Sequence, residues 1–426
     1  MIFRILLPSH LLLLTGVMAS PALSQSPDQA LEHARKLLES TPLIDGHNDL
    51  PWEIRDSKTA PRDVAAYDLR ARSPKHTDLG RLKEGRVGAQ FWSIYIPGEI
   101  KDSGFARVQL EQFDIARRMI ARYPKQLTPA YSSDDIERSF KRGRIASLLG
   151  MEGGHAIENS LGALRAYYDL GARYLTLTHN VTLDWADAAL DTARHAGLTE
   201  FGREVVREMN RLGMLVDLSH VSPATMSDAL SVTEAPVIFS HSAARALTDH
   251  PRNVPDSILS RLPENGGVVM VTFVPAFVSS EVAAWESRQR EQVDGIKASV
   301  TDTAQQRKLI DEWKATHPAP HATLAQVADH IEHVRQVAGV DHVGIGSDFD
   351  GIDSTPDGLE DVSKFPDLFA ELIRRGWSDD DLKKLAGQNL LRVFRSAEAV
   401  AARLRKARQP STKTIEELDG PRTAAR

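Results

Sequence analysis

Five residues of this 426-residue chain have the types and spacing to hold metal ions: His47, Asp49, Glu152, His220 and His241. His47 and Asp49 end the run Leu43-Ile44-Asp45-Gly46-His47-Asn48-Asp49. Residues two apart on an extended strand point to the same side, so this spacing predicts one imidazole and one carboxylate aimed at a single point. By itself a His-x-Asp is as often a turn. Glu152 closes the apolar run that starts at Ile145, while His220 and His241 each follow an apolar-Ser step. One strand-end histidine is more often a hydrogen-bonded core residue; two on consecutive strands point to ligands. Imidazole and carboxylate donors with an open position suit Zn²⁺, or Fe, Mn or Co. In two-metal hydrolases the ions lie roughly 3.5–4 Å apart and activate a shared water. Such a pair needs a bridging carboxylate, and Glu152 is the acid placed for it.

Eight short apolar runs must position these groups. They begin at Leu43, Val87, Ile145, Ala172, Leu215, Pro236, Gly267 and Val343. Helix-periodic segments separate most of them, at 28–40, 111–122, 161–170, 198–212, from Pro223, and at 323–338. Nearly continuous apolar strands are expected when both faces are buried. The pattern predicts an α/β fold, a (β/α)8 TIM-type barrel with a long insertion between strands 7 and 8. The chemical residues fall at strand carboxyl ends, where such barrels carry their sites. The insertion, about 275–325, reads as solvated surface helices rather than a lid. Residues 53–86 read as irregular loop. Ser378 with Asp379-Asp380-Asp381 reads as a helix N-cap followed by dipole-complementing acids, not a metal cluster.

Composition excludes other chemistries. The chain has no cysteine, so thiol catalysis, thiolate metal sites and disulfides are ruled out. A net charge of -6 gives no reason to expect a nucleic-acid partner. Arg4, the apolar stretch 11–18 and Ala22-Leu23-Ser24 read as a secretory signal over 1–24, with the mature chain from about Gln25. The apolar stretch is too short for a comfortable span, so no membrane span is expected in the mature chain. The polar C-terminal end argues against a lipid-anchor signal. The expected division is a signal at 1–24, a barrel at 25–400 and a polar tail at 401–426 that frays. Export without disulfides points to a bacterial periplasm.

The combined motifs resemble the membrane dipeptidase (renal dipeptidase) family of amidohydrolase-like metal-dependent hydrolases. The resemblance rests on residues 44–51, 150–155, 177–180, 217–220, 240–242, 251–256 and 346–351, and spans about 40–395. It implies that His47 and Asp49 bind one metal, Glu152 bridges, and His220 and His241 bind the second. It implies that His179 contacts the scissile carbonyl oxygen, Arg252 receives the substrate carboxylate and Asp348 shuttles the proton. The implied protein is an exported dipeptidase with two Zn²⁺, other divalent metals being possible. It would accept a D-residue at the C-terminal position of a small dipeptide, and a homodimer is among the implied partners. Some family members carry a tyrosine after strand 7; here residues 273–277 read Phe-Val-Pro-Ala-Phe, with no hydroxyl.

Neighbouring polar residues receive plainer roles. His155 is separated from Glu152 by two glycines and reads as structural. Asp350 and Asp45 read as supports for the ligands. Trp185 and Asp187 wall the pocket or pack. His33, His76, His195, His250, His330, His333 and His342 fall on helices or loops and are expected at the surface. The competing readings are a lactamase-, lactonase- or acylamino-acid hydrolase-like enzyme on the same barrel, and a non-catalytic binding protein. Arg252 discriminates the first, because a substrate without a carboxylate leaves it unused. Asp348 discriminates the second, because binding needs no proton shuttle.

Overall fold

The computed structural model describes residues 26–100 and 104–421; the expected signal segment lies outside them. Eight parallel strands close into a barrel with helices around it. We number them β1 (Leu43–Asn48), β2 (Val87–Tyr95), β3 (Ile145–Glu152), β4 (Ala172–Thr176), β5 (Leu215–Asp217), β6 (Ile238–Ser242), β7 (Val268–Val271) and β8 (Val343–Ile345). Each run read from the sequence became a strand. Closure comes from β2 against β3, in register from Ala89↔Ala146 to Tyr95↔Glu152. A short strand not anticipated, Leu127–Pro129, pairs with the first half of β3 before β4 begins.

Alternation along the strands sorts side chains between two cores. Ile44, Phe91, Leu148, Tyr174 and Met270 belong to one apolar cluster, while Leu43, Trp92, Leu149 and Met151 join the larger cluster beneath the helices. Because Leu148 faces the first cluster, Gly150 and Glu152 face the same way. Gly150 is there for space: a Cβ on it would lie 2.0 Å from the Tyr174 ring.

The β1–β8 seam is thin, with Asp45↔Ile345 its one ladder pair. A side chain reinforces it. Asp45, fully buried, accepts hydrogen bonds from Ser347 N and Ser347 Oγ, both at 2.7 Å, and from Gln90 Nε2 at 2.9 Å. Burial pushes its carboxyl up to about 6, against the pull of those bonds.

The insertion is a helical hairpin, Ser280–Ser299 and Thr303–Thr316, joined by Trp285 and Trp313 with ring centroids 5.8 Å apart. Only Val282 and Ile296 of the first helix are buried, and none of the second, so it is a surface appendage as expected. Ser378 caps its helix by accepting from Asp381 N.

Two expectations are corrected. Over its described residues the tail expected at 401–426 is not frayed: helix Asn389–Ala407 runs into it, and Ile415–Asp419 follows. Ile415 is buried, and Asp419 accepts from Thr199 Oγ1 at 2.6 Å, which ties the tail to the start of helix Glu200–Leu212. Polar composition hid a docked segment. Second, His250, His330 and His342 are buried rather than superficial. On helix Leu324–Ala338, His330 shares the buried face of Val327, Ile331 and Val334, and its Nδ1 accepts from Ala244 N at 3.0 Å.

This burial has a measurable consequence. Desolvation lowers the His330 imidazole from 6.5 to about 4. The folded state therefore binds fewer protons than the unfolded chain between those values. The contribution of neutral His330 is complete above about pH 6.5 and is lost as pH falls toward 4. Urea melts at pH 7 and pH 4.5, with chelator present throughout, should show the wild type losing roughly 2–3 kcal/mol more than His330→Gln. Equal losses would remove His330 as a cause.

Candidate metal and substrate site

At the carboxyl end of the barrel the five predicted ligands come together, although not as strand alternation predicted. β1 ends at Asn48, with register irregularity between Asp45 and Asn48, and Asp49 is the residue before helix Leu50–Arg55. The turn, not the strand, brings Asp49 Oδ2 to 3.1 Å from His47 Nε2. Glu152 Oε2 lies 3.5 Å from that same nitrogen. Its other oxygen, Oε1, lies 2.9 Å from His220 Nε2 and 3.4 Å from His241 Nε2. The donors thus form two triads, His47–Asp49–Glu152 and Glu152–His220–His241, which share Glu152. A third grouping adds Asp348 to His47 and His241.

Each histidine is oriented through its far nitrogen. His47 Nδ1 meets Tyr174 Oη at 2.8 Å and His220 Nδ1 meets Asn180 Oδ1 at 3.0 Å. His241 Nδ1 meets Ser240 Oγ at 2.8 Å, and Ser240 Oγ in turn donates to Asp217 Oδ2 at 2.6 Å. With Nδ1–H donating outward, all three Nε2 lone pairs face inward, the arrangement that metal-ligating imidazoles adopt. The fit to cations follows from two observations. His220 Nε2 and His241 Nε2 are 2.8 Å apart, a repulsive contact of lone pairs unless a positive charge lies beside them. His47 Nε2 and Asp49 Oδ1 are buried with no hydrogen-bond partner. Burial, aided by Arg252, holds His220 well below the usual imidazole range; burial, aided by His47, does the same for His241. Burial would raise Glu152, but His47 and His220 outweigh it and hold the carboxyl well down. Neutral His220 and His241 beside an anionic Glu152 are the protonation states that a divalent ion requires. His47 differs: burial would lower it, but Tyr174, Glu152 and Asp49 outweigh burial and hold it well above the usual imidazole range, so an ion there would have to displace its proton.

Tyr174, Asn180, Ser240 and Asp217 were not anticipated in these roles. Asp217 had a signal: it precedes His220 by three residues on an apolar strand, much as Asp45 precedes His47 by two. Tyr174 had none.

The other predicted residues line a cavity of about 470 Å³ above the cluster, together with Asp49, Glu152 and His220. His179 stacks between Tyr95 and His220, at centroid distances of 4.9 and 4.4 Å, and burial lowers its pKa. Asp348 Oδ1 is 3.9 Å from His47 Nε2. Burial, reinforced by Asp49 and Glu152 against His47, pushes the Asp348 carboxyl well up. Asp348, Asp350 and His220 hold φ of 69°, 66° and 67°, left-handed backbone uncommon outside glycine and concentrated at functional sites. Gly351 leaves room for these acids: a Cβ there would lie 2.3 Å from Asp49 Oδ2.

Arg252 is 1% exposed, yet its Nη1 has no hydrogen-bond partner. Its guanidinium lies 5.1 Å over the ring of Phe277, which stacks on His250 at 4.4 Å. Burial lowers its pKa to about 10, so it stays cationic at neutral pH. A buried cation without a full set of acceptors is costly, and an anionic ligand would relieve that cost. Phe277 belongs to the stretch after β7 that carries no tyrosine, and its aromatic face supports the arginine.

His155 hydrogen-bonds Ile96 O through Nε2 at 3.0 Å and lies outside the donor triads, matching its structural reading. Trp185 is buried and absent from the cavity wall, so it packs; Asp187 pins its own loop by accepting from Arg194 N and Gly197 N. The hairpin 280–316 contributes nothing to the cavity wall, whereas Val274 and Phe277 just before it do.

A family model described as membrane dipeptidase (peptidase family M19) matches residues 31–408. The chain is 43% identical over 389 residues to dipeptidase verJ of Clonostachys rogersoniana, covering 89% of this chain and 90% of that protein. It is similar to the crystal structure of the probable dipeptidase PvdM from Pseudomonas aeruginosa, with a TM-score of 0.75, 25% identity, and 88% and 100% of the two chains covered. It is also similar to a metallo peptidase from Rhodobacter sphaeroides liganded with a phosphinate mimic of the dipeptide L-Ala-D-Ala, with a TM-score of 0.69, 25% identity, and 84% and 99% covered.

Proposed function

The chain belongs to the membrane dipeptidase family, M19, and is thus a metal-dependent dipeptidase; from that premise we propose an exported two-zinc enzyme that cleaves dipeptides and accepts a D-residue at the C-terminal position. The observation that carries this reading is the pair of donor triads sharing Glu152, at the floor of a cavity that also holds the buried Arg252, whose Nη1 has no hydrogen-bond partner. His47 and Asp49 would hold one ion, His220 and His241 the other, and Glu152 would bridge. Ions bound there would acidify a water and polarise the scissile carbonyl.

The remaining work belongs to the chain. Arg252 pairs with the substrate's C-terminal carboxylate, which limits cleavage to short peptides. His179, neutral because it is buried, donates a hydrogen bond to the carbonyl oxygen as charge develops on it. Asp348 takes the proton of the attacking water and passes it to the leaving amine. Tolerance of a D-residue is supported by the neighbour solved with an L-Ala-D-Ala mimic. Export is supported by the basic-apolar-small pattern of 1–24, cleaved near Gln25 in a bacterial periplasm. Among the described residues no helix is long and apolar enough to cross a membrane. N-terminal sequencing of the secreted protein checks export, and light scattering checks the homodimer implied by the resemblance.

The decisive experiment measures metal content and turnover of L-Ala-L-Ala, L-Ala-D-Ala and their C-terminal amides, on the wild type and Arg252→Met. Two zinc ions per chain and turnover of both free dipeptides are expected. Arg252→Met should raise KM for the free acids by roughly 10–100-fold, the worth of a charged hydrogen bond, and abolish the preference over the amides. Metal binding without dipeptide turnover would overturn the substrate class.

A further inference from the structure

One stretch of the cavity wall has its own chemistry. Helix Leu50–Arg55 leaves the end of β1 and turns Trp52, Glu53 and the following Asp56 toward the opening, where Asp350 and Asp353 from the β8 loop complete the wall. Glu53 and Asp56 are three apart on a helical turn and so present to one side. Asp353 and Asp56 both raise the pKa of the half-buried Glu53, after burial itself. Lys75, bound to the exposed Asp353 at 3.2 Å, and Lys58 partly answer this charge, and Arg55, paired with Glu111, lies 5.7 Å from the Trp52 ring centre. Asp350 also lines this wall, but its carboxyl is wholly buried and held from within the protein, by His76 N at 2.8 Å and by Thr77, so it backs the wall rather than offering the occupant an acceptor.

Aromatic rings connect this wall to the metal donors. Trp52 packs edge-on against Tyr95 at 4.9 Å, Tyr95 meets His179 at 4.9 Å, and His179 meets His220 at 4.4 Å. Trp52 and Tyr95 both line the cavity. An apolar stem could lie along these faces with a cationic head among the acids, the way lysine and arginine side chains settle at such boundaries.

Resting on the dipeptidase reading, we propose that Glu53 and Asp56, beside Trp52, form a specificity subsite that selects dipeptides whose N-terminal residue carries a cationic side chain. With the C-terminal carboxylate on Arg252, the N-terminal residue would extend away from it; the charged neighbours of Arg252 (Asp348, Glu152, Asp217) and those of Glu53 (Lys75, Asp56, Asp353, Lys58) share no member, as expected of separate parts of one cavity. The two parts of the cavity thus read opposite charges on one substrate.

The test compares kcat/KM for Arg-Ala against citrulline-Ala, and Lys-Ala against norleucine-Ala, pairs that differ mainly in charge. The wild type should favour the cationic member about tenfold or more at low ionic strength, with the ratio shrinking as salt rises. In the Glu53→Gln/Asp56→Asn variant the ratio should fall to within about threefold of unity. In Lys75→Met, which removes a competing cation, it should rise. These opposite shifts keep the proposal testable even if the acidic double variant folds poorly. A wild-type ratio near one, or a ratio that neither variant moves, would overturn the subsite. Absence of all dipeptide cleavage would instead overturn the dipeptidase reading on which it rests.

Discussion

Glu152→Gln is expected to cost the protein at least one of the two metal ions proposed for it and to lower dipeptide turnover by roughly 10³-fold or more. Each Glu152 oxygen faces a different triad: Oε2 faces His47, and Oε1 faces His220 and His241. An amide keeps the shape, but it replaces an anionic oxygen with a neutral oxygen and an NH₂ that cannot ligate. The triads then no longer share a donor, and the negative charge that offsets two dications in a buried site is gone. Metal catalysis supplies several kcal/mol of transition-state stabilisation, and each 1.36 kcal/mol is tenfold in rate. Elemental analysis of the purified variant, paired with kcat/KM, checks both halves. A variant with two ions and near-normal turnover would show that Glu152 does not bridge.

Asp348→Asn separates two roles that the geometry leaves adjacent. Asp348 belongs to a possible donor group with His47 and His241, yet it also faces the cavity where substrate would bind. As a proton shuttle, its loss should lower kcat by roughly 10²–10⁴-fold with both ions retained and KM little changed. As a metal ligand, its loss should lower metal content together with activity. Asparagine is the right probe because it tolerates the left-handed backbone that Asp348 holds at φ 69°. We expect the first pattern. Loss of an ion in this variant, with full occupancy in the wild type, would reassign Asp348 to the metal.

Much of this protein was legible in order along the chain. The eight apolar runs, their helical spacers and the His, Asp and Glu at their carboxyl ends are local patterns, and local patterns survive without knowledge of the fold. The N-cap at Ser378 and the surface character of the insertion are of the same kind. The five candidate ligands could be named because each lies at or just after the end of one of four strands, His47 and Asp49 sharing β1, and a barrel brings strand ends together.

Only the tertiary structure decided which partners complete that list. Tyr174 orients His47 across 127 residues, and Asn180 orients His220 across 40; no periodicity in sequence encodes contacts at such separations. The Gly150 that admits the Tyr174 ring reads in sequence as one more small strand residue. Burial of Arg252 with a nitrogen unpaired, of His330 on the inner face of its helix, and of Ile415 in a polar tail depends on what packs over each of them. The meeting of His47 and Asp49 is the sharpest case. Their spacing was read correctly, yet the strand stops at Asn48 and the first turn of a helix brings the carboxylate in. Sequence determines which side chains are available and on which element each sits. Closure of the barrel by β2 against β3, and the β1–β8 seam held by Asp45 and by backbone bonds such as Asp348 N to His47 O, determine where they point.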